Sequence, residues 1–438
     1  MNQKHWGLLI TLLLAMSLMA ACAAPAGDAG SDGGDAAAEE AAADESSDDG
    51  GEESAAEESG ATVYKIGFIS AVTGPASGLG VPERNTADMI AEQLAAAGGI
   101  EGPDGVMHPV EIITMDSESN PDTASSSADR LINEDEVDIL VAGSVSGNAL
   151  AMVPIATESE VPMIGMASAG SIVRDPETGE PRHWIFKVPH ANDQVSVAVL
   201  KVAQHMGIES VCHLYENTGY GQDTLNQLEP VFAEAGIEIV YSDTFERTDT
   251  EFPQIVSVQG AGCDAVTVGA IPPGASMVHG AIIDSMPDMI VLQGSGVCNQ
   301  QFIELAPDAV EGAIIPCTPL AAGDSLADDV PNKGIVVQYL ADYEEYTGEI
   351  TNQFGGIGFD ALQWAIVALS QLEDGMDLAG RRAAIRDALE TQIVDWAGTS
   401  GTFTISADDH LGLNPDTAFE YVKIVDGAYM HYPPADWE

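Results

Sequence analysis

The chain has 438 residues, 45% of them hydrophobic, and carries 70 acidic against 14 basic side chains, for a formal net charge of −56. A nucleic-acid-binding protein or a polybasic membrane-surface protein needs a cationic face, which so few Lys and Arg residues cannot supply. The hydrophobic content is sufficient for a large core, and the length suggests two or three domains.

The N-terminal segment is typical of a secretory signal. A basic start precedes the apolar run Leu8–Ala15, which is too short to span a membrane, and small residues follow it. Ala20 and Ala21 directly precede Cys22, which resembles a bacterial lipobox with Met19 where Leu is usual. We therefore expect residues 1–21 to be a signal peptide and Cys22 to be lipidated. Plain cleavage and release is the alternative.

Residues 22–60 are predicted to form a disordered acidic tether. They hold 13 acidic side chains and no basic ones, and no aromatic residue, so they cannot bury enough apolar surface to fold. Without residues 1–60, the remaining 378 residues still carry 57 acidic against 13 basic side chains, or −44. The folded part is therefore strongly acidic as well, which we interpret as adaptation to a salty medium.

Four cysteines remain after Cys22, namely Cys212, Cys263, Cys298 and Cys317. An exported protein can hold disulfides, and four cysteines allow three pairings. Cys298 and Cys317 each follow an apolar run, so we expect them on neighbouring strand ends as a possible disulfide. Buried free thiols are the alternative.

From Thr62 onward, short apolar strands alternate with helices. The first series is Val63–Ser70 (strand), Arg84–Ala97 (helix), Val110–Met115 (strand), Thr123–Asn133 (helix), Asp138–Ala142 (strand), Ala149–Glu158 (helix) and Pro162–Met166 (strand). After Trp184–Val188 a second series runs through helix Gln194–His205, strand Ser210–Tyr215, helix Leu225–Ala235, strands Glu238–Tyr241 and Ala265–Val268, helix Met277–Asp284, and apolar runs Met289–Leu292 and Ala313–Ile315. Three helices follow, Gly334–Tyr346, Gly358–Leu372 and Gly380–Glu390, and then a hairpin, Val422–Val425 with Ala428–His431. This alternation predicts an α/β fold with parallel sheets covered on both faces, in two lobes.

Motifs spread over residues 62–432 resemble the branched-chain amino-acid-type solute-binding proteins of ABC importers. They are Lys65–Ser70, Thr73-Gly74-Pro75, Gly98-Gly99-Ile100, Gly102, Asp116, Asp138–Gly143, Ser146-Gly147, Val161-Pro162, Tyr220-Gly221, Phe359-Asp360-Ala361 and Ser406–His410. Each motif is weak alone, but their order and spacing together are fairly specific.

The resemblance implies the periplasmic binding protein type I fold, in which two Rossmann-like lobes with parallel-sheet cores are joined by three crossing hinge segments. It places the crossings near Val188–Asn192, Thr318–Gly323 and Leu411–Pro415. Lobe 1 would be 61–188 plus 319–411, and lobe 2 would be 189–318 plus 412–438. A small solute would bind in the cleft, beyond the carboxyl ends of the strands.

In lobe 1, the resemblance points to loops that follow strands. Ser146 aligns with the family serine that holds a substrate carboxylate, and Gly147 lets the backbone of a helix start approach an anion. Simple helix capping is the alternative for Ser146. Leu79 occupies the family's cleft-facing aromatic or apolar position, with an exposed loop leucine as the alternative.

The next loop departs from the family pattern. Ala167 fits the backbone carbonyl that contacts an amino-acid head group, but Ala169 stands where a Thr hydroxyl is usual. Ser168 or Ser171 is a candidate to replace that hydroxyl. This departure weakens the amino-acid interpretation.

In lobe 2, the resemblance selects Asp193, Tyr220 and Ser295. Asp193 aligns with an acidic residue just past the first crossing, and Tyr220 is expected to face the cleft. Ser295 stands where many amino-acid binders carry a Glu that neutralises the ammonium. Because a buried ammonium needs a partner, a carboxylate, an amide or another small polar solute is an equal contender.

The sequence contains no GxSxG, GxxxxGK[ST], HExxH or complete GxGxxG motif, so we expect no enzyme, cofactor or metal. The resemblance implies a monomeric, lipid-anchored, extracytoplasmic protein that delivers a small solute to ABC permease and ATPase subunits, without nucleic acid. The alternative is a ligand-sensing receptor of the same fold that feeds a signalling partner.

The acidic surface generates the first testable prediction. The melting temperature should rise from low salt to molar NaCl, because salt screens the mutual repulsion of the carboxylates. A melting series followed by circular dichroism measures this. A melting temperature that does not rise would indicate an ordinary acidic extracytoplasmic protein.

Overall fold

The computed structural model describes residues 60–437. The predicted signal peptide, Cys22 and the tether up to residue 59 lie outside the described residues. Within 60–437, no helix is both long enough and apolar enough to cross a membrane.

The first lobe is built on a parallel sheet. Its elements are β1 (Tyr64–Ser70), α1 (Ser77–Ala97), β2 (Ile100–Glu101), β3 (Met107–His108), β4 (Val110–Asp116), α2 (Pro121–Asn133), β5 (Ile139–Ala142), α3 (Ser146–Glu158), β6 (Met163–Gly165) and β7 (Ile185–Lys187). The strand order is β4-β1-β5-β6-β7, with every pairing parallel. β5 is buried along its whole length, as expected for a strand covered by helices on both faces.

The second lobe repeats this plan. Its elements are α4 (Asn192–His205), β8 (Ser210–Glu216), α5 (Gly219–Glu234), β9 (Glu238–Phe245), α6 (Gln254–Ala261), β10 (Ala265–Gly269), α7 (Gly274–Ser285), β11 (Ile290–Gln293), α8 (Gln300–Leu305), α9 (Pro307–Val310) and β12 (Ile314–Cys317). The parallel order is β11-β10-β8-β9. Two disulfides brace this lobe, Cys212–Cys263 and Cys298–Cys317. Cross-links of this kind are worth about 3–4 kcal/mol by the chain-entropy model.

The rest of the chain returns to the first lobe and then to the second. Its elements are α10 (Pro319–Ala322), α11 (Lys333–Thr347), α12 (Gln353–Leu369), α13 (Leu378–Gln392), β13 (Trp396–Ala397), β14 (Thr402–Phe403), β15 (Glu420–Val425) and β16 (Ala428–His431). α13 is fixed to the first sheet because Arg381 Nε donates to Asp138 Oδ1 at 2.7 Å. β15 pairs antiparallel with β12 and β16, which closes the second lobe.

Three segments therefore connect the lobes, and two of them run side by side. The backbone N–H of Lys187, the last residue of β7 before the first crossing, donates to the carbonyl of His410, next to the third crossing, at 3.2 Å. Lys187 Nζ donates to the carbonyl of His190 at 3.1 Å. Such short connections allow two rigid lobes to move by hinge closure.

The lobes touch each other across the cleft. Gln353 Nε2, on α12, donates to the carbonyl of Ser295 at 2.6 Å. The first residue of α5, Gly219, faces Gly147 on α3 so closely that a methyl group placed on Gly219 would lie 3.6 Å from Gly147 Cα. The cleft is thus in a closed arrangement, in which the space at Gly219 accepts a methyl group in ordinary contact.

This contact generates the second prediction. Gly219→Trp should hold the lobes apart and increase the radius of gyration measured by small-angle X-ray scattering, because an indole cannot fit against Gly147. Gly219→Ala should leave the radius unchanged, since its methyl group makes only ordinary contacts. Gly334→Trp is a matched control, because Gly334 is exposed on α11 and a Cβ there meets nothing within 4 Å. An unchanged radius in Gly219→Trp would show that the two glycines do not control closure.

Candidate functional site

A small pocket lies between the lobes, with a cavity volume of about 20 Å³ in this closed arrangement. Its walls are Leu79, Ser144, Val145, Ser146, Met166, Ala167, Ser168, His190, Tyr220, Arg247, Ile271, Ser295, Gly296, Gln353, Phe354 and Ile357. Seven of these sixteen residues have apolar side chains, so the pocket can contact an apolar body of a solute as well as its polar groups.

Six of the nine predicted ligand-binding residues line this pocket, namely Leu79, Ser146, Ala167, Ser168, Tyr220 and Ser295. Three do not. Gly147 lies at the contact between the lobes, and Ala169 is buried one layer behind the wall. Asp193 is exposed on the first turn of α4, so the structure does not bring its carboxylate to the pocket.

Ser146 lies at the first turn of α3, directly after β5. The residue before it, Val145, has no side chain that can cap the helix, so the first N–H groups of α3 lack a side-chain partner. Ser146 Oγ accepts a hydrogen bond from the backbone N–H of Ala169 at 3.3 Å, which leaves its own proton available to an acceptor in the pocket. A helix start of this kind attracts an anion.

Arg247 is the cationic side chain of the pocket wall, and the sequence analysis did not select it. It follows β9 in the second lobe. Its Nε donates to Glu216 Oε2 at 2.8 Å and its Nη2 to Glu216 Oε1 at 2.6 Å. Glu216 is fully buried, so this two-bond pair fixes the plane of the guanidinium and leaves Nη1 as a further donor. Two sequence features could have identified Arg247 as a site residue: it lies just past the end of a strand, and the chain has few cationic side chains.

His190 and Gln353, which the sequence analysis also did not predict as site residues, both form hydrogen bonds with Ser295. His190 Nε2 is hydrogen-bonded to Ser295 Oγ, and Gln353 Nε2 donates to the Ser295 carbonyl. Burial lowers the pKa of His190 to about 3, so its ring is neutral at pH 7. His190 of the first crossing and Gln353 of the first lobe are therefore hydrogen-bonded to the same loop of the second lobe.

Among the described residues that line the pocket, none is Asp or Glu. Two buried carboxyl groups lie directly behind the wall. The oxygens of Glu216 are both bonded to Arg247. Glu83 is hydrogen-bonded to Ser144, and burial raises the pKa of Glu83 well above the usual carboxyl range, which favours its neutral form. The pocket therefore offers donors for an anion but no acidic partner for an ammonium group.

Within residues 60–437, no group of three or more His, Cys, Asp or Glu side chains is arranged to hold a metal ion. The Asp408-Asp409-His410 segment is used structurally. The Nδ1–H of His410 donates to the carbonyl of Ile185 at 2.9 Å, and its Nε2 lies 3.2 Å from Glu390 Oε1.

Comparisons with known proteins agree with this architecture. A model of the periplasmic binding protein family matches residues 63–427. The Leucine-, isoleucine-, valine-, threonine-, and alanine-binding protein of Pseudomonas aeruginosa is 24% identical over 290 residues, which cover 66% of this chain and 74% of that protein.

Solved structures share the fold. An extracellular ligand-binding receptor from Rhodopseudomonas palustris superimposes with a TM-score of 0.76 and 25% identity, covering 85% of this chain and all of that one. An ABC transporter solute-binding protein from R. palustris, in complex with benzoate, has a TM-score of 0.68 and 19% identity over 85% of this chain and 96% of that one.

These relatives are solute-binding proteins and not enzymes, so the prediction of a non-enzymatic protein is confirmed. The predicted α/β fold of two lobes is confirmed as well. The chain belongs to the periplasmic binding protein family, in its branched-chain amino-acid-type branch, and is an extracytoplasmic solute-binding protein of the kind that serves ABC importers.

Proposed function

We propose that the protein captures a small monocarboxylate with an apolar body and delivers it to an ABC permease from a lipid anchor on the outer face of the membrane. The observation that carries this proposal is the charge pattern of the pocket. Arg247 and the start of α3 face the solute space, and no acidic side chain among the described residues does.

The head group of the solute would lie between Ser146 and Arg247. The uncapped N–H groups of α3, the Ser146 hydroxyl and Arg247 Nη1 are all donors, and donors paired with a carboxylate make strong hydrogen bonds. Glu216 balances the charge of Arg247, so a bound carboxylate relies on the helix start as well as on the guanidinium.

The apolar wall and the lack of an acidic partner support a carboxylate rather than an α-amino acid. Leu79, Met166, Ile271 and Phe354 offer apolar contact to the body of the solute. An ammonium group buried among them would lose its hydration without a counter-ion, which is costly. The proposed solute therefore differs from the amino acids for which the P. aeruginosa relative is named.

Closure would couple capture to delivery. Ser295 belongs to the second lobe but is held by Gln353 of the first, so a solute in the pocket adds contacts that exist only when the cleft is closed. A ligand that binds the closed form better shifts the open–closed equilibrium towards it. The closed monomer would then dock on the permease.

The third prediction compares leucine with 4-methylpentanoate, which differs only by lacking the ammonium group. The carboxylate should raise the melting temperature, with stabilisation of about 2.7 kcal/mol at 100 times its Kd, whereas leucine should not. A thermal-shift titration measures both.

Ser146→Ala should weaken binding of 4-methylpentanoate by about three- to tenfold, the contribution of one hydrogen bond. Ser126→Ala is a matched control, because Ser126 is an exposed serine of α2. Equal or stronger stabilisation by leucine would contradict the proposed solute class. No effect of Ser146→Ala would mean that the head group lies elsewhere.

The fourth prediction concerns the anchor. Cys22→Ala should move the protein from the membrane fraction to the medium, because the tether without its lipid has no apolar segment to hold it. Fractionation followed by immunoblotting measures this. If the wild-type protein is itself found in the medium, cleavage without lipidation is the correct interpretation.

A further inference from the structure

A second cavity lies inside the second lobe, between its sheet and helices α4 and α5. It is small in this structure, with a cavity volume of about 30 Å³. Its apolar walls include Val199, Leu228 and Leu292, each at most 5% exposed. None of the contacts proposed above for the solute head group uses this cavity.

Tyr220 separates the two spaces, since its side chain lines both of them. The loop after β11 also lies between the two spaces, because Gly294 lines the inner cavity and Gly296 lines the pocket between the lobes. A Cβ on Gly296 would lie 2.6 Å from the Tyr220 hydroxyl oxygen, so the ring fits closely against this loop. One side chain on the first turn of α5 therefore forms the partition.

One residue that lines the inner cavity has a buried acceptor without a partner. Asn192 is 1% exposed and lines the cavity. Its Nδ2 donates to Asp223 Oδ2 at 2.6 Å, which fixes the orientation of the amide, while its Oδ1 has no hydrogen-bond partner. A buried acceptor left unsatisfied costs about 1–3 kcal/mol, so a donor from outside the chain would be favoured there.

The histidine that lines the cavity is neutral and already paired. The ring nitrogens of His213 lie 2.9 Å from Thr267 Oγ1 and 3.2 Å from Thr224 Oγ1. Burial lowers the pKa of His213 to about 3, so the ring carries no charge at pH 7. No Lys or Arg lines this cavity among the described residues. A second carboxylate would therefore be buried here without a counter-ion, whereas a hydroxyl would not.

We propose that the inner cavity is a tail subsite, and that the solute is an elongated carboxylic acid whose apolar chain passes Tyr220 and ends in a hydroxyl that donates to Asn192 Oδ1. This inference rests on the proposed function, which puts the carboxylate in the pocket between the lobes. The apolar walls take the chain, and Asn192 selects its end. Rotation of the Tyr220 ring joins the two spaces.

The test is isothermal titration calorimetry of the purified protein with straight-chain acids from butanoate to decanoate, each with and without a terminal hydroxyl. Short acids should bind equally well with or without the hydroxyl. Beyond the length that reaches Asn192, the hydroxy acid should bind about three- to tenfold more tightly than the plain acid. Asn192→Ala should remove this preference.

Val199→Phe should fill the inner cavity, so that the long hydroxy acids lose their advantage while the short acids bind as before. Val197→Phe is the matched control, because Val197 is on the same helix and is 45% exposed. If short acids bind but no length shows a hydroxyl preference, the tail subsite is wrong and the proposed function stands. If no carboxylate binds at any length, both fail.

Discussion

The pocket depends on one constraint, which is that the strands of a parallel sheet end together and the helices that follow them begin together. In this protein the starts of α1, α3, α5 and α12 lie around the cleft, through Leu79, Ser146, Tyr220 and Gln353. The residues before α1 and α3, Ala76 and Val145, provide no side-chain cap. By contrast the starts of α5 and α12, also at the cleft, are capped by Thr218 and Asn352. The uncapped start of α3 therefore leaves N–H groups available where an anionic solute would bind.

An anion-binding pocket in a protein of such negative charge is not a contradiction, because the two effects act over different distances. The repulsion between the acidic surface and an anionic solute is a long-range term, and salt screens it beyond about 10 Å at 0.1 M. Attraction by the start of α3 and by Arg247 is short-range and acts in a water-poor pocket, where salt screens it much less. A salty medium therefore stabilises the acidic coat and also removes the barrier that the coat would present to the solute.

The sequence predicted the centres of most helices and strands but not the helix starts that form the site. Helix α12 begins at Gln353 rather than at the predicted Gly358, and α3 at Ser146 rather than Ala149. First turns at the cleft face the solute space rather than the core, so the apolar periodicity that reveals a helix is absent there. Gln353 was missed for this reason. Arg247 was missed because its role depends on Glu216, 31 residues earlier in the chain, which only the pairing of β8 with β9 brings beside it.

The sequence by itself determined the export signal pattern, the acidity, the alternation of strands and helices, and the serine after β5, because each of these is written in local composition or periodicity. Only the tertiary structure decided which polar groups face the solute space. The folded chain turns Asp193 to the solvent, pairs Glu216 with Arg247, and buries Glu83 behind Ser144, where burial raises the pKa of its carboxyl group. The charge of a pocket depends on which side chains from the two lobes face it. That in turn depends on contacts between residues that are far apart in the chain.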